Sequence, residues 1–558
     1  MKRTPTSLPG ARLLALLVAG LMAVPMTAQA QEREDLEKMR ATLLSLIRTL
    51  VKNGVMSSSQ ADAMMREAQR AADVQLAAPP PAEIGPDGKK IVRVPYVPEA
   101  VRNQMREQIT ADVLASTRGS AGTDGGSLAE AGGRLQISGD VRLRAEAIRQ
   151  GSDNSPATTY SAGQPALTRA ADLWADPNAN TQQGLERTRL RARLGFQVAV
   201  TDKVAAGLSL STGGVTGPTS TNQTMATGSS QSPGFFNKYT LVVDKAFVAL
   251  QPLKGLRLSG GRIANPFVGT DLLWADDLNF EGFAAAFQAP VGSQWEGFAT
   301  AGWFPLSFQA PGQSARRSLT ALQGGASWQF GQRPNRLKLA VALYDYSGIE
   351  GVKETTIDKS LVPDYVVRSE YGAGYRQRGN TLFRINSDKA ADSATNWGLA
   401  SGFRELDLTA SLDLALFDPV HVVVTGDIVR NLAFSRTDIQ RRTGLTVSDG
   451  NGVGYLARVQ LGMPVMRQAG DWNVSLGYRR LGSDAVVDAF TNSDFGRGGT
   501  NNKGFTLGGS WSFAKNTWLS ARWMSSNLVE SMVPLQNGVG PRTTFNADTL
   551  QLELNARF

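Results

Sequence analysis

From residue 133 to residue 558, apolar and polar residues alternate with a period of two in many short segments separated by turn residues. Such alternation is typical of β-strands, because successive side chains of a strand point to opposite faces. About sixteen segments follow the pattern, an even number of the kind that bacterial single-chain barrels use. The segments are 135–148, 188–200, 204–211, 241–250, 256–263, 280–289, 294–304, 319–330, 337–346, 403–416, 421–429, 454–462, 472–481, 504–513, 518–525 and 549–558.

The connections between these segments alternate between short and long. The short ones are 201–203, 251–255, 290–293, 331–335, 418–420, 463–471 and 514–516. The long ones include 150–184, 212–240, 346–402 and 430–452. A closed up-and-down barrel in an outer membrane has tight turns on the periplasmic side and long loops outside, whereas a soluble β-sandwich does not sort its connections by length. The sequence therefore predicts an all-β transmembrane barrel of about sixteen antiparallel strands, spanning residues 133–558.

Two neighbouring segments carry arginines at every second position, opposite apolar residues such as Leu143 and Leu194. The arginines are Arg142 and Arg144 in the first segment, Arg187 directly before the second, and Arg189, Arg191 and Arg193 within the second. An arginine that faces hydrocarbon near the bilayer midplane costs about 2 to 4 kcal/mol, so this face must meet water. We expect the six arginines to line an aqueous lumen; a solvated face of a soluble sheet is the alternative.

The connection 264–279 is the candidate for a loop that narrows the lumen, because about sixteen strands enclose a space too wide for the wall side chains to fill. Acidic residues in and beside it would oppose the arginines and create a transverse field. They are Asp271, Asp276, Asp277 and Glu281. A solvated acidic surface loop is the alternative.

The first 132 residues have a different character. Residues 1–30 have the pattern of a signal peptide: Lys2 and Arg3 precede an apolar run at 13–24, and Ala28-Gln29-Ala30 is a cleavage site. A membrane anchor is the less favoured alternative. Residues 31–72 read as a helical hairpin or short coiled coil, with leucines at a and d spacing. Residues 73–132 read as a Pro/Gly-rich linker with one helix. We expect this small α-helical region in the periplasm, and a homotrimer.

Other function classes find little support. The chain has no Cys and one His, His421, so we expect no catalytic, cofactor or metal residues. The net charge of +9 is scattered rather than gathered into a stripe, which argues against nucleic acid as a partner. The pattern favours a passive channel for small hydrophilic solutes or ions, with a weak anion preference. A solute-specific uptake channel and a barrel-anchored adhesin remain open, and an outer-membrane enzyme is less favoured.

The sequence also resembles the putative porin family of bacterial outer-membrane proteins. The stretch Val51-Lys52-Asn53-Gly54-Val55 before Gln60-Ala61-Asp62-Ala63 is similar to the helical preface of that family. Val92-Arg93-Val94-Pro95-Tyr96-Val97-Pro98 resembles a second patch, and residues 261–266 with 271–282 resemble the most distinctive one. The resemblance covers the mature chain and implies a pore-forming barrel surrounded by lipid, without a defined solute. The terminal Phe558 resembles the signal that the barrel-insertion machinery reads.

Overall fold

A computed structural model describes residues 135–155, 181–215, 217–227, 234, 236–308, 316–353, 369–372, 374, 376–385, 396–530, 532–535, 538–542 and 544–558. The predicted signal peptide (1–30), the helical hairpin or coiled coil (31–72) and the linker with one helix (73–132) lie outside the described residues. These three assignments stay predictions.

The described chain consists mainly of β-strands. In chain order they are β1 Leu135–Gln150, β2 Leu185–Thr201, β3 Val204–Thr212, β4 Gln223–Thr224, β5 Leu241–Leu253, β6 Leu256–Ala264, β7 Asn279–Val291, β8 Trp295–Ser307, β9 Arg317–Phe330, β10 Asn335–Ser347, β11 Leu382–Arg384, β12 Trp397–Leu399, β13 Arg404–Phe417, β14 Val420–Asn431, β15 Val453–Gly462, β16 Trp472–Leu481, β17 Asn502–Ala514, β18 Thr517–Leu528, β19 Met532–Leu535, β20 Gly538–Arg542 and β21 Asn546–Arg557. One α-helix, α1, spans Arg436–Thr443. Among the described residues, no helix has the length and apolar character that crossing a membrane would need.

One sheet closes on itself to form the barrel. It holds seventeen strands including the two-residue β4, and the sixteen others pair antiparallel around a ring. Strand β1 closes the ring by pairing with both β2 and β21. At this seam the backbone N–H of Phe558 donates to the oxygen of Gly139 at 3.0 Å. The predicted barrel of about sixteen antiparallel strands is confirmed, and every predicted segment lies within three residues of an observed strand at both ends.

The outer face of the barrel is apolar. Leu143 is 42 % exposed, Leu408 46 % and Leu476 56 %, and each is flanked on its strand by residues that point inward. A continuous band of exposed large apolar side chains is unstable in water and suits contact with lipid. The alternation in the sequence therefore separates a lipid-facing surface from a polar interior.

All short turns lie at one end of the barrel, which we call the short-turn end; the long connections lie at the other, the long-loop end. The turn between β5 and β6 needs Gly255, whose φ is +85° and where a Cβ would come within 2.2 Å of the Gln288 oxygen. Trp472 and Trp511 are direct cross-strand partners at this end. Such tryptophans favour the boundary between hydrocarbon and water, which fits an aromatic girdle.

The long connections carry small elements that the periodicity does not predict. Strands β11 and β12 pair with each other, as do β19 and β20. Helix α1 lies between β14 and β15, is capped by the Ser435 side chain and ends at Gly444 in the left-handed conformation. Such short elements escape sequence reasoning because two to eight residues are too few to establish a period.

Candidate functional site

The six predicted pore arginines lie on the inner face of β1 and β2. Their neighbours Leu143 and Leu194 are exposed on the outer face, and side chains of a strand alternate between faces. The two strands pair in a register that sets charged residues directly opposite one another. The cross-strand partners are Asp140 with Arg193, Arg142 with Arg191, Arg144 with Arg189, and Glu146 with Arg187.

Carboxylates offset part of this positive charge. Asp140 accepts hydrogen bonds from Arg191 at 2.8 Å and from Arg193 at 2.7 Å, through its two oxygens. Glu146 lies 2.5 Å from Arg187. The outermost arginines still reach the lumen, because the side chain of Arg187 is 30 % exposed and that of Arg193 is 25 % exposed. The arginine wall is therefore ion-paired but not closed off from water.

Arg144 is the most deeply placed of the six. Its side chain is 2 % exposed, its Nη2 lies 2.6 Å from Glu553 of β21, and its Nη1 donates to Asp494 at 2.8 Å. Arg142 donates to Asn222 at 2.6 Å. Opposed guanidinium groups repel, so these acceptors are what allow two arginine pairs to face each other across β1 and β2. The deeper arginines fix the wall rather than offering free charge.

The connection between β6 and β7, residues 265–278, folds into the barrel, and we call it the constriction loop. It is anchored to three separate parts of the wall. Val268 exchanges two hydrogen bonds with the Gln323 side chain of β9, at 2.8 and 2.6 Å. Thr270 donates to Asp427 of β14 at 2.6 Å. Asp271 pairs with Arg458 of β15 at 2.6 Å, so the loop crosses from the β9 side of the lumen to the β15 side.

An aromatic cluster fixes the constriction loop against one half of the wall. Trp274 of the loop lies edge-on to Tyr344 with ring centroids 5.0 Å apart, and to Phe280 at 4.9 Å. Phe267 of the loop contacts Phe304 at 6.1 Å in the same manner. Edge-to-face pairs of buried rings add stability beyond the area they bury. Aromatic side chains therefore fill the space between the constriction loop and the inner wall formed by β7, β8 and β10.

Only some of the four predicted acidic residues lie opposite the arginines of β2, as expected from the sequence. Asp277 does meet the arginine wall, at 3.0 Å from Arg191 and 3.4 Å from Arg193. Burial raises the pKa of Asp277, but these two arginines outweigh it and hold the pKa below its usual value. Asp276 beside it is exposed.

Two of the four differ from the expectation. Asp271 pairs with Arg458 on the far side of the lumen instead of with β2. Glu281 lies in β7, beyond the loop, and its carboxylate is 2.8 Å from Arg262 of β6. The physical reason is that β7 begins at Asn279, so pairing with β6 fixes Glu281 beside Arg262.

A second segment enters the lumen, and the sequence analysis missed it. Residues 482–501, between β16 and β17, form this inward segment, and most of its side chains are buried. It joins the constriction loop directly: Thr491 donates to the Leu272 oxygen at 2.7 Å, and Asn492 donates to Asp271 at 2.7 Å. The one signal in the sequence is an apolar run, Ala485-Val486-Val487, on the side where loops are expected to be solvated.

Residues that precede β11 hold the inward segment in place through hydrogen bonds. Asn380 donates to the oxygens of Ser483 and Val486 at 2.7 and 2.8 Å, and accepts from the N–H of Asp488 at 2.7 Å. The hydroxyl of Tyr371 donates to the Asp488 carboxyl. A polar network in which most groups are satisfied can hold one arrangement in a buried site. The described interior is thus narrowed by two interlocked segments.

We predict that the inward segment packs less tightly above about pH 6. Burial raises the pKa of Asp488 from 3.8 to about 6. Because the folded state then favours the neutral acid, stability is greatest at low pH and is lost as pH rises from about 4 through about 6. Hydrogen exchange of residues 482–501 should show protection lower by about 1 to 3 kcal/mol at pH 7.5 than at pH 4.5.

The substitution Asp488→Asn should reduce that difference, since an amide does not ionise; burial also raises the pKa of Asp484 in the same segment, so part of the difference remains. Asp494→Asn is the matched control in the same segment. Burial opposes the charge of Asp494, but Arg144 and Arg522 hold its pKa well below the usual range, so it stays ionised at both pH values. Equal protection of the inward segment in wild-type protein at the two pH values would contradict the predicted role of Asp488.

His421 lies near the short-turn end of β14. Its Nδ1 is 2.6 Å from Asp413 of β13, and both side chains are partly buried. Among the described residues, no group of three or more His, Cys, Asp or Glu side chains is arranged to hold a metal ion. The contact joins two neighbouring strands by a hydrogen bond near the short-turn end.

The family model for putative porins matches residues 40–558. Among solved structures, the outer membrane channel DcaP of Acinetobacter baumannii has 12 % identity and a TM-score of 0.36, over 78 % of this chain and 100 % of that one. In-vitro folded OmpT, an outer membrane protein of Vibrio cholerae, has 9 % identity and a TM-score of 0.35, over 76 % and 98 %. No curated protein matches the sequence. Since the family match runs through every strand of the barrel to the last residue, the chain belongs to the putative porin family.

Proposed function

We propose that this protein is an outer-membrane pore through which small hydrophilic solutes and ions diffuse passively, with a weak preference for anions. Membership of the putative porin family supports the channel. The observation that carries the preference is the partly exposed positive charge on the inner wall of a closed barrel. Four arginine side chains there are 25 to 38 % exposed: Arg187, Arg193, Arg458 and Arg522.

Fixed positive charge beside a narrow aqueous path lowers the energy of anions relative to cations. Carboxylates limit the effect, because Asp140 and Asp277 pair with β2 arginines and Asp276 is exposed. The expected preference is therefore modest. The constriction loop and the inward segment together favour passage of small solutes only.

Reversal potentials in a planar bilayer test this proposal. Purified mature protein is placed between two concentrations of potassium chloride, and the voltage of zero current is recorded. We expect discrete conductance steps and a small reversal potential whose sign shows that chloride permeates more readily than potassium. The opposite sign would overturn the anion preference, and the lack of any conductance would overturn the proposal of a pore.

We further propose that residues 1–30 direct export, that the N-terminal region stays in the periplasm, and that Phe558 is read by the barrel-insertion machinery. The position of Phe558 supports the last point, since it ends the closing strand at the short-turn end. The even strand number supports the second, because β1 begins and β21 ends at that same end.

A homotrimer is the expected assembly, on the basis of the leucines at a and d spacing in residues 31–72. Native mass spectrometry in mild detergent should give the mass of three chains for the mature protein. A variant lacking residues 31–72 tests whether that region contributes. If both proteins are detected only as monomers, the homotrimer is excluded.

A further inference from the structure

Arg479, on the inner face of β16, is a buried cation for which no hydrogen-bond acceptor is found among the described residues. It is 3 % exposed, and its Nε, Nη1 and Nη2 are all buried without a partner. A guanidinium has five N–H donors, accepts nothing and does not deprotonate in proteins. Buried charges are paired in stable proteins, because an unpaired one has lost its hydration without compensation. The N–H groups of Arg479 therefore need a hydrogen-bond acceptor that carries negative charge.

The neighbours of Arg479 on the wall do not supply one. Its cross-strand partners are Leu456 of β15, which is apolar, and Gly504 of β17, which has no side chain. The ring of Phe495 lies 5.0 Å from the guanidinium carbon and attracts the cation, but it covers only one face. The in-plane N–H groups are left without an oxygen.

The carboxylate that acts electrostatically on Arg479 is that of Asp271, and it is already engaged. Asp271 accepts from Arg458 at 2.6 Å through one oxygen and from Asn492 at 2.7 Å through the other. Asp271 therefore places negative charge near Arg479 but accepts no hydrogen bond from it. Arg144 shows the contrast, because it is equally buried yet lies within 2.8 Å of two carboxylates, Glu553 and Asp494.

We propose that Arg479 binds a chloride ion between the β15–β16 wall and the two inward-folded segments. A single-atom anion suits the site better than a larger solute, because Arg479 is 3 % exposed and its side-chain nitrogen atoms are buried. Arg458 adds to the positive potential there. The ion is a resident part of the constriction, so the proposal does not depend on which ions the pore prefers.

Crystals of the full mature protein grown in bromide test the site directly, because bromide replaces chloride and scatters anomalously. We expect an anomalous peak within hydrogen-bond distance of the Arg479 guanidinium and none at Arg144. The peak should be lost in Arg479→Gln and retained in Arg522→Gln, which removes another inner-face arginine. Wild-type crystals without a peak at Arg479, or a peak that persists in Arg479→Gln, would overturn the proposal.

A solution measurement supplies a second readout. An anion that binds only the folded state raises its stability with concentration. The temperature at which the barrel loses its compact electrophoretic form should be higher in chloride than in gluconate at equal ionic strength, since gluconate is too large for the site. Arg479→Gln should abolish this difference. No difference in wild-type protein, or an equal difference in both proteins, would overturn the site.

Discussion

Replacing residues 482–501 by an Asn-Gly turn is expected to raise the single-channel conductance on the order of a few-fold. The inward segment occupies the lumen with buried residues such as Val487 and Phe495, so its removal widens the path for ions. The barrel tolerates the change because Leu481 and Asn502 are cross-strand partners at the ends of β16 and β17. A two-residue Asn-Gly loop is well suited to joining such strands.

The matched control removes α1 instead, by joining residues 434 and 446 through a short Gly-Ser link. Helix α1 packs through Ile439 against the small cluster that contains Phe383, apart from the arginine wall. Its removal should leave the conductance within the scatter of wild-type protein. If shortening the inward segment does not change the conductance, or if both deletions raise it equally, the segment does not limit the pore.

Replacing all four β2 arginines by glutamine is expected to move the reversal potential clearly toward cations. The substitution removes four positive charges but leaves Asp140, Glu146 and Asp277, which those arginines now neutralise. The sign of the local field therefore reverses instead of merely weakening. The measurement is the same salt-gradient experiment as for wild-type protein. The shift in reversal potential should be larger than the wild-type reversal potential itself.

Arg149→Gln is the control for this series. Arg149 is 71 % exposed at the long-loop end and lies 3.7 Å from Glu186, so its loss should leave the reversal potential unchanged. Heat-modifiable migration of each variant shows whether the barrel has folded. A folded four-glutamine variant with the wild-type reversal potential would mean that ions do not pass along β2.

The wall of the barrel could be predicted from the sequence because the period of two is a local property of each strand. Arg189 and Leu190 face opposite sides for that reason alone. The pairing of β1 with β21 also follows, since a closed ring of sixteen strands must join its first strand to its last. Closure thus required no long-range information beyond the strand count.

The interior could not be predicted in the same way. The contact of Asp271 with Arg458 joins residues 187 positions apart, and no periodic pattern encodes it. The inward segment 482–501 carries an apolar run that signals burial, but nothing in the run says that it packs on the constriction loop. Glu281 differs for a simpler reason: Phe280 is buried inside the barrel, so Glu281, the next residue of β7, faces the opposite side and pairs with Arg262.

We expect the arginine face of β2 to meet water inside the barrel while the leucine face meets lipid. Arg193 and Leu194 are adjacent on β2, on the inner and outer face respectively, and the chain has no native cysteine. In Arg193→Cys, a water-soluble thiol reagent should react and lower the single-channel current. In Leu194→Cys, only a lipid-soluble reagent should react, with the current unchanged. The reverse pattern of reactivity would contradict the account.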